Sequence, residues 1–162
     1  MTFSRKEFRQ LIRQKRNQLC SDTQYQAGLD LAQQFLSIAQ LKNAKRIALY
    51  ISADGEIDTT PLINELWKQG KETYLPVLHP FSSGHLLFLH YTPNSKLTYN
   101  KYGIVEPVLN QTLVCPVNQL DIICTPLVGF DSQGQRLGMG GGYYDRTLSR
   151  WYNTGHGPLP VA

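Results

Sequence analysis

The chain has 162 residues, 41% hydrophobic and 17% charged, the composition of an ordinary globular protein and not of a disordered one. That length fits one domain, 1–162, able to bury a core without disulfide or metal. The net charge of +4 and pI of about 9.0 admit a nucleic-acid binder, but no basic–aromatic interleaving supports that reading, and a site for a polyanionic small molecule explains the excess as well.

Ser4 and Glu7 have the spacing of a capping box that opens a helix, with Phe8, Leu11, Ile12 and Leu19 on its apolar face. Arg5, Arg9 and Arg13 stand four apart beside that face, as a cationic stripe that is either solvated surface or a site for an anion. Met1 to Glu7 lacks the apolar centre of a secretory signal, and no apolar run reaches bilayer length, so a cytoplasmic location with no membrane partner is expected. Ser21 and Gln24 repeat the capping signature ahead of a second helix that turns Tyr25, Leu29, Ala32, Phe35, Leu36 and Ala39 inward.

Residues 46–52 read as a buried strand closed by the loop Ala53-Asp54-Gly55-Glu56. Thr60 as N-cap with Pro61 behind it then starts a helix packed through Leu62, Ile63, Leu66 and Trp67, and Gly70 ends it. Residues 72–77 form the next strand, which completes a strand–helix–strand unit of a parallel sheet. Residues 86–91 suit an antiparallel or edge strand, and 92–103 an exposed polar connection. The run 120–125 is apolar on both faces and therefore central. Asp131-Ser132-Gln133-Gly134 is a turn. The predicted class is α/β, an open three-layer α/β/α sandwich around a mainly parallel sheet.

Cys20, Cys115 and Cys124 are isolated and read as small buried apolar residues. His79, His85, His90 and His156 lack metal-ligand spacing, and Trp67 and Trp151 read as packing residues.

The most informative stretch is Arg136-Leu137-Gly138-Met139-Gly140-Gly141-Gly142-Tyr143-Tyr144-Asp145-Arg146. Glycines leave no Cβ between backbone amides and a phosphate. A helix opening near Gly142 adds free N–H groups and the positive end of its dipole. Arg136 and Arg146 bracket the cradle with charge. The spelling is neither a P-loop, which needs GxxxxGK, nor the dinucleotide fingerprint GxGxxG, since Tyr143 stands where a glycine is required. Asp145 is either a first-turn carboxylate favoured by the helix dipole or a ligand for Mg²⁺ beside bound phosphate.

These residues resemble the 5-formyltetrahydrofolate cyclo-ligase (5,10-methenyltetrahydrofolate synthetase) family. The likeness rests on the basic helix with Arg5 and Arg9, the strand and loop from Ile51-Ser52 to Glu56-Ile57-Asp58-Thr59, and the 136–145 signature. Leu75-Pro76-Val77 and Gly103-Ile104-Val105-Glu106-Pro107 add to it. The resemblance implies a monomeric ligase of one-carbon metabolism, acting on 5-formyltetrahydrofolate and ATP with Mg²⁺ and giving 5,10-methenyltetrahydrofolate, ADP and phosphate through an iminophosphate. It implies ATP contacts at Arg5, Arg9, Arg136, Leu137, Gly138, Met139, Gly140, Gly141, Gly142, Tyr143 and Tyr144. Folate contacts are implied at Ile51, Glu56 and residues 139–143, catalytic roles at Arg136, Tyr143 and Asp145, and metal binding at Asp145. Glu56 is otherwise an exposed loop acid, and Tyr143 otherwise a buried aromatic anchor. The chain ends at Ala162, where Pro158-Leu159-Pro160-Val161-Ala162 begins a strand that family members follow with a second acidic magnesium ligand. Weakened Mg²⁺ binding is therefore expected, the alternative being a non-catalytic nucleotide- or folate-binding protein of the same fold.

Overall fold

The computed structural model describes residues 4–162, so Met1, Thr2 and Phe3 of the N-terminal stretch lie outside the described residues. Helix α1 (Arg5–Asn17) starts on the expected capping box: Ser4 Oγ accepts from the Glu7 amide at 3.3 Å, and Glu7 Oε2 accepts from the Ser4 amide at 2.8 Å. None of its residues is fully buried, and Phe8 is 45% exposed. Helix α2 (Ser21–Ser37) departs from expectation at its start. Cys20 is the N-cap, Ser21 is already helical, and no side chain caps the helix. Cys20 is therefore exposed, unlike Cys115 and Cys124, which are buried as expected. The buried face of α2 runs through Gly28, Ala32 and Phe35, while Tyr25 and Leu29 are exposed. Gly28 sets that rotation, because a Cβ there would stand 2.8 Å from the Asp58 carbonyl oxygen.

Strand β1 (Arg46–Ala48) is shorter than the apolar run that encodes it. Helix α3 (Thr60–Lys68) has Thr59 as its N-cap, one residue earlier than expected, and the Thr59 hydroxyl donates to the Tyr50 carbonyl at 2.5 Å instead of capping the helix. Strands β2 (Glu72–Leu78) and β3 (Leu86–Tyr91) pair antiparallel. The stretch expected to be a polar connection holds β4 (Leu97–Tyr99), which forms a hairpin with β5 (Val105–Pro107). The hairpin is tied to the sheet by the Leu78 amide, which donates to Glu106 Oε2 at 3.1 Å. Then follow β6 (Val114–Cys115), β7 (Ile122–Cys124), the small hairpin β8 (Gly129–Phe130) and β9 (Arg136–Leu137), α4 (Tyr143–Thr147), α5 (Ser149–Thr154) and β10 (Leu159–Val161).

The main sheet has the order β10-β7-β1-β2-β3-β6, with β10, β7, β1 and β2 parallel. The strand expected to begin near Pro158 does form, pairing Leu159, Pro160 and Val161 with Ile122, Ile123 and Cys124. One face of the sheet is covered by α2 and α3, with Ala32, Phe35, Leu62 and Leu66 of the helices over Ile47, Leu49 and Ile122. The other carries Ala48, Phe88 and Ile123 beneath Leu148 and Tyr144. Burying Leu148 contributes roughly 1.5–3 kcal/mol and anchors the junction of α4 and α5. This is the three-layer α/β/α arrangement expected from the sequence.

Topology positions the site. From β1 the chain crosses through α3 to β2 on one side, and from β7 through α4 and α5 to β10 on the other. The loops leaving β1 and β7 therefore diverge at their carboxyl ends, and such a switch point leaves a crevice where α/β sheets take their ligands.

Candidate active site

The loop after β7 carries the glycine turn into this crevice. Gly140 has φ of 100° and Gly142 φ of 70°, both in the left-handed region that favours glycine. Gly142 is the N-cap of α4. Among the described residues, no carbonyl or side chain accepts from the amides of Met139, Gly140, Gly141, Gly142, Tyr143 or Tyr144. Six consecutive donors thus remain for an anion, on a short helix start that adds partial positive charge.

Arginines frame the turn. Arg9 Nε donates to the Gly138 carbonyl at 2.7 Å, and a Cβ on Gly140 would lie 3.5 Å from the same guanidinium. Arg136, largely buried, donates to the Pro126 carbonyl at 2.9 Å and to Asp145 Oδ1 at 2.8 Å. Its guanidinium also lies 6.0 Å from the Tyr144 ring centroid. Arg5, one helical turn before Arg9, is exposed and makes no hydrogen bond or ion pair among the described residues. Leu137 is half-buried at the end of β9, and Met139 is exposed at the tip of the turn.

The loop after β1 forms the opposite wall. Ile51 is half-buried there. Glu56 is half-buried as well, neither the exposed loop acid nor fully enclosed, and its Oε2 accepts from the Ala53 amide at 3.0 Å. Burial raises its pKa, against the lowering effect of that amide and of Arg16. Tyr144 faces the same wall: burial, then the charge of Glu56 and the neighbouring Tyr50, pushes its phenol pKa up. Tyr143 is half-buried, with its hydroxyl 3.1 Å from that of Tyr102 on the β4–β5 hairpin and the two rings edge to face. That contact, with Lys101 beside it, lowers the Tyr102 pKa, and the same contact raises that of Tyr143.

No group of three His, Cys, Asp or Glu residues is gathered for a metal among the described residues. Asp145 offers one carboxylate, 72% exposed, with Oδ1 held by Arg136. One carboxylate is a fitting contribution for Mg²⁺, whose other ligands are commonly phosphate oxygens and water.

The cationic stripe of α1 also serves to dock the helix. Arg13 Nε and Arg16 Nη2 reach Asp54 Oδ2 at 2.5 and 3.0 Å, Asn17 Nδ2 reaches Oδ1 at 3.1 Å, and Arg16 Nη1 donates to the Leu127 carbonyl at 3.2 Å. Ile12 settles over Gly129, where a Cβ would stand 2.8 Å away. Hydrogen bonding from Arg13 and Asn17, opposed by partial burial, holds the Asp54 carboxyl below its usual pKa. A depressed carboxylate contributes docking above its ordinary range and loses it as pH falls through the lowered value. Asp54→Asn is therefore expected to loosen α1 at neutral pH as acid does in the unmodified protein. Amide exchange across Arg9 and Arg16 measures this, and protection unchanged by either treatment would contradict it.

A model of the 5-formyltetrahydrofolate cyclo-ligase family matches residues 1–162. The chain belongs to that family. It is 50% identical to the 5-formyltetrahydrofolate cyclo-ligase of Haemophilus influenzae over 99% of this chain and 86% of that protein. The Escherichia coli K12 cyclo-ligase is 48% identical over 94% of this chain and 84% of its own. In structure it is similar to the Aquifex aeolicus 5,10-methenyltetrahydrofolate synthetase, with TM-score 0.75, 33% identity, and coverage of 90% of this chain and 72% of that one. The Mycoplasma pneumoniae synthetase matches with TM-score 0.70 at 25% identity, over 91% of this chain and 79% of that one. The chain is thus a member of an enzyme family, the cyclo-ligases, and its fold is that of the synthetases.

Within this cyclo-ligase fold, Arg9, Arg136, the glycine turn, Tyr143, Tyr144, Asp145 and Glu56 converge on the crevice, while the Arg5 side chain makes no hydrogen bond or ion pair with them among the described residues. Sequence reasoning missed Arg16 and Tyr102. Arg16 continues the helical register of Arg9 and Arg13 at spacing three from Arg13, a signal that was available. Tyr102 carried none, lying in a stretch that reads as a polar connection.

Proposed function

We propose that this chain catalyses the ATP- and Mg²⁺-dependent cyclisation of 5-formyltetrahydrofolate to 5,10-methenyltetrahydrofolate, with release of ADP and phosphate. The observation that carries the reading is the row of amides from Met139 to Tyr144 with no acceptor among the described residues, opening at the switch point between β1 and β7. A triphosphate satisfies such donors, and Arg9 and Arg5 add charge from the α1 side. On this reading the folate lies between the turn and the β1 loop, bordered by Ile51, Glu56 and residues 139–143. The half-buried Glu56 carboxylate accepts from the donor edge of the pterin.

The formyl oxygen attacks the γ-phosphorus, and the bond to the β-phosphate oxygen breaks with departure of ADP. The neighbouring folate nitrogen then attacks the activated formyl carbon and loses its proton, and the carbon–oxygen bond breaks as phosphate leaves. This sequence asks the protein for alignment and charge stabilisation and for little covalent chemistry. Arg136 sustains both: it braces the loop at Pro126 and orients Asp145, the carboxylate that would hold Mg²⁺. The ion, when bound, supplies neutralisation of phosphate charge. Tyr143 borders the reacting formyl group. We take the working form to be a cytoplasmic monomer acting on these small molecules, without nucleic acid or membrane as partner.

The test is a turnover assay on the purified chain. Absorbance of the methenyl product is expected only when 5-formyltetrahydrofolate, ATP and Mg²⁺ are all present. ATP binding with no product would instead indicate a non-catalytic binding protein of the same fold.

A further inference from the structure

Arg146 has entered so far only as charge beside the glycine turn. Its side chain makes two directed contacts to main chain, one across 62 residues and one inside the glycine turn. Nε donates to the Gly84 carbonyl at 2.7 Å, and Nη2 donates to the Gly141 carbonyl. The guanidinium also stands 5.5 Å from the Tyr143 ring centroid. Both flanking glycines are shaped around it. A Cβ on Gly84 would fall 2.6 Å from Nη2, and one on Gly142 would fall 2.8 Å from Nη1. Gly84 has φ of 81° and closes the turn between β2 and β3.

The consequence concerns the direction of a donor. A peptide unit is planar and trans, so its carbonyl and N–H point opposite ways. Holding the Gly141 carbonyl on the guanidinium turns the Gly142 N–H away from it. Between two glycines that plane is otherwise free to rotate, because neither residue has a Cβ to bias it. A rotated plane would present a carbonyl oxygen to the phosphates, replacing a donor by a repulsive acceptor. We propose that Arg146 is a positioning residue: it locks the 141–142 peptide with its N–H available to the nucleotide and clasps the β2–β3 turn to the glycine turn. Its action depends on the fork of the guanidinium, whose Nε and Nη2 donate in two fixed directions, whereas the donors of an ammonium all leave one atom at the end of a flexible stem. The proposal rests on the cyclo-ligase reading for its kinetic consequence, not for the clasp itself.

The test compares Arg146→Ala, Arg146→Lys and Gly84→Ala with the unmodified protein, which must first be shown to cyclise. Loss of one charge-assisted contact together with the misdirected donor is expected to raise KM for ATP about tenfold in R146A, with a smaller change in kcat. R146K is expected to match R146A. G84A displaces the guanidinium from the other end, so the double variant should be no worse than R146A alone, as for two changes that break one contact. Restoration of KM by R146K would overturn the proposal in favour of a charge acting at a distance. Unchanged KM in R146A, or additive effects in the double variant, would overturn it too. The His85 amide, bonded to the Ser82 carbonyl inside the clasped turn at 3.2 Å, gives a readout independent of turnover. Its hydrogen exchange should quicken in R146A. If the unmodified protein makes no product, the cyclisation reading fails, and the clasp is judged on that exchange alone: unchanged exchange sinks it.

Discussion

Replacing Gly140 by valine is expected to lower kcat/KM for ATP more than a hundredfold while the protein stays folded. Gly140 has φ of 100°, a conformation that costs an L-residue about 1–2 kcal/mol and a β-branched one more. Relief of that strain rotates the flanking peptides, and with them the amides of residues 140 and 141. Each amide–phosphate contact is worth roughly 1.5–3 kcal/mol, so the loss of two exceeds a factor of a hundred. The side chain would also enter the space beside Arg9, whose guanidinium carbon stands 3.5 Å from a Cβ built on Gly140. Thermal unfolding should change little, since Gly140 is exposed. Gly134→Ala is the control. It has φ of 77° with nothing within 4 Å of an added Cβ among the described residues, so it carries similar strain in the β8–β9 turn, outside the row of free amides, and should leave turnover unchanged. Near-normal ATP kinetics in Gly140→Val would remove the glycine turn from the nucleotide site.

Asp145→Ala is expected to cost about a hundredfold in kcat and to raise the Mg²⁺ concentration needed for half-maximal rate. The side chain is 72% exposed, so the fold does not depend on it. Its one partner among the described residues, Arg136, keeps its bond to the Pro126 carbonyl and stays in place. Asp145→Asn separates the two roles of the carboxylate. The amide oxygen still accepts from Arg136 but lacks the charge that draws a divalent cation away from water. If the charge matters for the metal, Asn behaves like Ala. A normal rate in Asn with a deficient one in Ala would instead assign Asp145 to orientation of Arg136. The same Mg²⁺ titration on the unmodified chain shows how well a single carboxylate suffices.

Much of this was legible in the amino-acid sequence, and the legible part has one physical character. The capping box of Ser4 and Glu7, the helix of residues 60–68, the antiparallel β3 and the left-handed glycines of the turn all follow from sterics and hydrogen bonding within a few residues. The apolar run at 120–125 likewise declared a strand covered on both faces, and it lies between β1 and β10. Local chemistry sets these features before the chain meets itself.

What the tertiary structure decided are choices among locally acceptable alternatives. Ser21 had the better capping side chain, yet Cys20 became the cap. Gly28 outranked Tyr25 and Leu29 on α2 because only a residue without a side chain lets the helix pass the Asp58 carbonyl. The basic stripe became a docking device because Asp54 stands opposite Arg13 and Arg16, and the second of these is 38 residues away. Tyr102 meets Tyr143 across 41 residues, and Arg146 meets Gly84 across 62. Such pairings leave no periodic trace, since their energy exists only once the sheet order brings the carboxyl ends of β1 and β7 together. Sequence alone therefore determined where side-chain-free amides and cations stand along the chain, and folding determined which way they face.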